Sequence, residues 1–230
     1  MIDKRDLLFL IARERIYEEL KRILKAPYFY ETLRDFHEIF KEIMPELQDH
    51  QYFEEVIKAS EFSPQDISVR LAMLFSSFSN DLTHNDTLLR KSLSRLKADN
   101  KTTLESSRLV GYFHEPLTPN KRELSAQLHQ MGQEMLLKLI DLRDAFYQGL
   151  ALEEEHQDLL DFYSLLHHHL DGELVFERSR LAITGDDLLA IGYPRNASIR
   201  MALDVLLNEV IEDTLDNTPD ALIKRAKELL

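Results

Sequence analysis

Three histidines stand in a row in LLHHHL, His167, His168 and His169, and they are the first residues in this chain to suggest metal chemistry. The surrounding pattern is helical, and consecutive residues on a helix point about 100° apart, so the three cannot grip one ion together. Glu153 and His156 form an E-x-x-H pair, the spacing used by di-iron helical bundles, but such sites need a second pair on a facing helix, and none occurs. Asp81, His84 and Asp86 in FSSFSNDLTHND offer oxygen and imidazole ligands suited to a divalent metal. The same residue types are what a polar turn uses as caps, and that reading is preferred. The sequence has no H-E-x-x-H, no phosphate-cradling G-x-x-x-x-G-K-[ST], no G-x-G-x-x-G and no Ser-His-Asp set. With no cysteine, thiolate zinc and cysteine nucleophiles are excluded.

One segment survives this filter. LAITGDDLLAIGYPRNASIRMALDVLLNEV, residues 181–210, breaks from the surrounding helix with two glycines, a Pro-Arg-Asn turn and then a long leucine-faced helix. Backbone N–H groups at a helix start are unsatisfied and carry partial positive charge, so such a start suits an anion. Arg195 and Arg200 flank it, and Asn196 and Ser198 stand at its cap. Together they are expected to hold a phosphate of a passing backbone, with Lys224, Arg225 and Lys227 of the last helix as secondary contacts.

The elements that must position this segment are helices. Apolar residues recur every three or four positions, beginning with Leu7, Leu8, Ile11, Ile16, Leu20, Ile23 and Leu24, and glycine is scarce, 6 in 230 residues. The expectation is an all-α, elongated multi-helix array. Its boundaries fall near 60 and 172, giving segments 1–60, 61–172 and 173–230. Ser63 and Pro64 read as cap and first turn of one helix, and Gly132 and Gly149 as helix stops. ELVFERSRLAIT, residues 173–184, reads as an extended strap, and Asn217 or Thr218 caps the last helix, with Pro219 in its first turn. No apolar run approaches the length of about 18 residues that spans a bilayer, and the first residues do not read as a signal peptide, so no membrane role and a cytoplasmic location are expected. The net charge of −13 opposes any nucleic-acid role for the surface as a whole, because phosphate neutralisation by cations supplies much of such affinity. RNA contact would have to come from a local basic patch.

Residues 181–230 resemble the C-terminal end of bacterial tRNA nucleotidyltransferases, the CCA-adding enzymes akin to bacterial poly(A) polymerases. Ile183, Gly185, Asp187, Leu188 and Gly192 match the family's I-x-G-x-D-L-hydrophobic-x-x-G segment. Pro194, Ile199 and Leu203 match the turn and helix that follow, and Asn217 and Leu222 the opening of the last helix. Further back, ARERIYEELKRIL resembles the start of the family's RNA-binding body through Glu14, Arg15, Ile16, Glu19, Leu20, Ile23 and Leu24, and IMPEL resembles its end. SVRLAMLFSSFSND lies where many members carry the His-Asp pair of an HD-type metal domain. Ser76 and Ser77 stand in those places, and His114 remains from a second histidine pair.

The resemblance implies three parts: a body (1–60), a degenerate HD-like helical domain (61–172) and a tail (173–230), together binding the acceptor–elbow region of tRNA. It also implies what this sequence does not contain. The family's glycine-serine turn, D-x-D pair and E-D-x-x-R motif are missing, so magnesium, CTP and ATP would belong to a head outside it, in another chain or elsewhere in the gene, and the chain alone is expected to be inactive. Three positions depart from the pattern: Asn196 and Arg200 stand where glycines are usual and Asp186 where a lysine is. Asparagine tolerates the left-handed backbone such a turn can require, whereas Asp186 removes a phosphate partner. Two alternatives stay open, an acidic helical adaptor or remnant without RNA binding, and an HD-type phosphohydrolase with metal at Asp81 and His84.

Overall fold

A computed structural model describes residues 12–48, 50–77, 82–170 and 175–230, with side chains at 82–84 and 169–170 outside the description. Leu7, Leu8, Ile11, Asp81 and Gly172, and the side chains of His84 and His169, therefore lie outside the described residues.

The fold is all-α. In chain order come α1 (Arg13–Lys25), α2 (Phe29–Ile43), a 3-10 turn (Pro45–Leu47), α3 (Phe53–Ser60), α4 (Ile67–Leu74), α5 (Leu82–Arg95) and α6 (Asn100–Tyr112). Next are α7 (Lys121–Met131), α8 (Gln133–Gly149), α9 (Glu153–Leu170), a 3-10 turn (Arg178–Arg180), α10 (Gly185–Ala190), α11 (Ala197–Ile211) and α12 (Pro219–Leu229). Among the described residues there is no strand, and no helix is long and apolar enough to cross a membrane.

The chain forms two compact units. The first comprises Met1–Pro116 with Leu137–Leu159, the second Leu117–Leu136 with Leu160–Leu230. In the first, Leu20, Leu24, Phe29, Leu33, Met44, Leu47, Leu71, Phe75, Phe113 and Phe146 are almost completely buried. Each side chain of this size contributes about 1.5–3 kcal/mol on leaving water.

Two buried arginines organise this unit. Arg70 is 3% exposed. Its Nη1 donates to the carbonyls of Leu24 and Ala26 at 2.8 and 2.7 Å, and its Nε and Nη2 to the hydroxyl and carbonyl of Ser63. A guanidinium thus takes up carbonyls at the end of α1, which would otherwise be orphaned, and its plane lies 4.7 Å over the Phe29 ring. Arg143 does the same for α6, donating from Nε to the carbonyl of Phe113 (2.7 Å) and from Nη2 to that of Glu115.

Ser63 is consequently not the cap of α4. Its hydroxyl is engaged by Arg70, and the helix begins later, with Asp66 accepting from the Val69 N–H at 3.0 Å. Gly149 closes α8 as expected, but for a packing reason. A Cβ there would sit 2.6 Å from the backbone nitrogen of Ala59, so glycine is what lets α8 meet α3 backbone to backbone. Asp141, on α8, has its carboxyl pushed up, first by burial and then by the neighbouring Asp144 and Asp66.

The second unit has its own core of Leu181, Ile183, Leu188, Tyr193, Leu206, Leu207, Ile211 and Leu222, drawn from the strap, α10, α11 and α12. The strap after Val175 is a bent, irregular segment around its 3-10 turn, extended at Glu177 and Leu181 rather than throughout, and His129 at the end of α7 holds it through the Phe176 carbonyl at 3.0 Å.

Candidate nucleic-acid interface

The segment singled out by sequence forms a compact corner, α10–turn–α11, and most of its motif residues hold the corner together. At the start of α10 the Thr184 N–H and hydroxyl both donate to the Asp187 carboxylate, at 2.7 and 2.8 Å. These bonds, the backbone N–H foremost, hold the Asp187 carboxyl below the usual carboxylate range. Gly185 lies against α11, where a Cβ would come within 3.2 Å of the Ile199 side chain. Gly192 has φ +109°, a conformation that other residues rarely adopt. Tyr193 turns inward, and its hydroxyl donates to the Ala226 carbonyl at 2.8 Å.

Asn196 caps α11. Its side chain accepts from the Ser198 N–H at 2.8 Å, and its backbone is extended (φ −146°). The left-handed conformation considered for this position is therefore not used. The asparagine is here because its side chain caps, which glycine cannot do. The hydroxyl oxygen of Ser198 is covered and has no hydrogen-bond partner, so this side chain faces the protein.

Arg195 and Arg200 are exposed and make no ion pair among the described residues. The turn before α11 packs on α12: Tyr193 reaches the Ala226 carbonyl, and a Cβ on Gly192 would lie 3.7 Å from the Leu230 side chain. Lys224 and Lys227 of α12 are exposed.

Arg225 differs from the other cations. It forks onto Glu209 of α11 through Nε and Nη2 (2.9 and 2.7 Å) and reaches Glu228 through Nη1 (3.0 Å). Those carboxylates raise its pKa further and leave it a clamp between α11 and α12. Asp186 is exposed in the first turn of α10, where the helix dipole favours an acid.

Asn217 has a role that the sequence pattern does not reveal. Its Oδ1 accepts from the Ala182 N–H (2.8 Å) and its Nδ2 donates to the Arg180 carbonyl (3.0 Å), so one side chain pairs both backbone directions of the strap. The helix cap is Thr218, which accepts from the Ala221 N–H.

In the first unit Ser76 and Ser77 are fully buried. Ser76 donates to the Ala72 carbonyl at 2.9 Å, and the His114 ring lies 3.1 Å from the Ser77 carbonyl. Burial lowers the His114 pKa. His156 pairs with Asp144 at 2.7 Å, and His167 stacks edge-on against Tyr163. Among the described residues, no three His, Cys, Asp or Glu side chains are grouped so as to hold a metal ion.

Comparison with known proteins points the same way as the tail motif. The chain is 25% identical, over 230 residues, to the CCA-adding enzyme of Lactobacillus helveticus (strain DPC 4571). The alignment covers 99% of the chain and 53% of that enzyme, so the chain spans about half the length of the curated relative it matches. No solved structure matches it. Residues 71–226, more than half of the chain, match the family described as tRNA nucleotidyltransferase domain 2, and the chain belongs to the tRNA nucleotidyltransferase family.

Proposed function

We propose that this chain is the tRNA-binding C-terminal region of a tRNA nucleotidyltransferase, serving 3′-CCA addition or repair. The observation that carries the reading is the pair of exposed arginines, Arg195 and Arg200, without an ion pair among the described residues, at the capped start of α11, in a segment that belongs to the family. Segments 1–60, 61–172 and 173–230 act as body, degenerate HD-like domain and tail. The tail engages the tRNA acceptor–elbow region through its phosphate backbone and shape, as is usual for paired RNA. Arg195, Arg200, Lys224 and Lys227 supply the charge, Asn196 and Ser198 set the helix start, and Arg225 fixes the helices that carry them. Nucleotide addition requires a head bearing the metal-binding carboxylates, outside this sequence, which would use magnesium with CTP and ATP.

Filter binding of the purified chain to tRNA at low and moderate salt tests this. Replacing Arg195 and Arg200 together by glutamate should weaken binding and lower the salt slope by about 2, one per phosphate contact removed. Retention of wild-type affinity and slope in the double variant would refute the assignment. The rival reading is an acidic adaptor, favoured by Asp186 and by the engagement of Arg225. It predicts no tRNA binding even at low salt.

A further inference from the structure

At the other end of α11 lies a cleft of about 380 Å³, lined by Lys121, Arg122, Ser125, Arg180, Asp213 and Asp216 together with the apolar Val175, Val210, Ile211 and Leu215. It belongs wholly to the second unit and is formed by the start of α7, the strap and the end of α11. The sequence motifs do not include it, apart from Asn217 at its edge.

Its charges are arranged for a guest. Lys121 and Arg122 are the first two residues of α7, where the helix dipole already carries positive charge and disfavours cations. Glu123 is the one acid in that turn, and it does not line the cleft. Arg180 is held in place from two sides: its carbonyl accepts from Asn217 and its guanidinium lies 4.6 Å over the Phe176 ring. Asp213 and Asp216 line the cleft as well. Three cations and two carboxylates share this cleft, yet Lys121, Arg122, Asp213 and Asp216 make no ion pair among the described residues, in a chain where many surface cations are paired.

Asp213 also sits at φ +55°, at the end of α11. The Thr214 N–H bonds back to the Glu209 carbonyl there, so the position is one that glycine fills best. An acid stands instead, in a backbone conformation that costs it stability, and it brings a carboxylate to the cleft.

We infer that this cleft binds a nucleoside monophosphate unit, its phosphate on Lys121 and Arg122, its ribose hydroxyls or base amine donating to Asp213 and Asp216, and its base against the apolar lining. The cavity size is within the range of small-ligand sites. Cations at a helix start suit phosphate, and carboxylates accept from ribose hydroxyls and from exocyclic amines. The unit can be a free nucleotide or one unstacked nucleotide of an RNA strand.

Calorimetric titration of the full chain with CMP, AMP, cytidine, adenosine and inorganic phosphate tests this. The monophosphates are expected to bind saturably in the millimolar range, and the nucleosides and phosphate alone at least about tenfold more weakly. Lys121→Ala with Arg122→Ala should abolish the difference between nucleotide and nucleoside. Asp213→Gly should weaken nucleotide binding while raising the thermal midpoint, a pairing that mere damage to the fold cannot give. Displacement of bound CMP by tRNA assigns the site to an RNA nucleotide, and lack of displacement assigns it to a free one. Absence of saturable binding, or phosphate binding as tightly as CMP, overturns the inference. The Arg195→Glu, Arg200→Glu variant should keep CMP binding, so failure here and failure of the tRNA assignment are separable.

Discussion

Arg70 lies inside the first unit with its donors on uncharged oxygens, the carbonyls of Leu24, Ala26 and Ser63 and one hydroxyl. Burial pulls its pKa down to about 10, which still leaves it charged at neutral pH. Arg70→Met should cost on the order of 3 kcal/mol, because the end of α1 would keep buried carbonyls with no donor; urea denaturation measures it. His50 is the opposite case, a half-buried residue whose two ring nitrogens are covered. Neither ring nitrogen reaches a partner on a neighbouring residue, and burial, with Lys41 nearby, lowers its pKa from 6.5 to about 4. The unfolded chain therefore takes up a proton that the folded chain refuses. Stability from this group is complete above about pH 6.5 and is lost as the pH falls toward 4, by about 3 kcal/mol at most. His50→Leu should flatten the pH dependence of the thermal midpoint over that window. Neither residue was legible in the sequence, since a mid-helix arginine and a lone histidine look like ordinary surface residues until the tertiary packing covers them.

The elements were more legible than their ends. Periodicity located the helices, but Ser63 read as the cap of α4 because local pattern does not show that Arg70 would claim its hydroxyl. Gly149 read as a stop, when its necessity comes from the backbone of α3. Three helices, α5, α8 and α11, end with Lys97, Ala151 and Asp213 at positive φ. In each, the next N–H bonds back to a carbonyl five residues earlier, the geometry that usually selects glycine. A chain with so little glycine gives no sequence signal at these turns. Ala151→Gly should stabilise the protein by about 1 kcal/mol, read as a rise in denaturation midpoint. The tail segment was legible for a related reason. Gly185, Asp187, Gly192 and Asn217 each do a structural task at a fixed spacing, so the motif records the shape of the corner. The proposed contact residues Arg195 and Arg200 are those that shape leaves exposed, and spacing alone could not separate them from Arg225, which the fold uses as a clamp.

At the scale of the whole molecule the decisive quantity is where the charge sits. The chain carries −13, and a uniformly spread charge of that sign would keep tRNA away. In 0.15 M salt, however, a charge is felt over about 8 Å, so an arginine pair at one end of α11 acts largely apart from acids on remote helices. Asp186 is a different case, being exposed in the first turn of α10 within the same corner. If the corner meets phosphate, Asp186→Lys should tighten tRNA binding and steepen its salt dependence. Arg90→Glu on α5, the same two-unit change in opposite sign at an exposed residue of the other unit, should leave the slope unaltered. Total charge would make the two substitutions matter equally and oppositely; local charge makes only the first matter. Salt-dependent filter binding of both variants decides between them, and equal and opposite shifts would mean that the corner is not where this protein meets RNA.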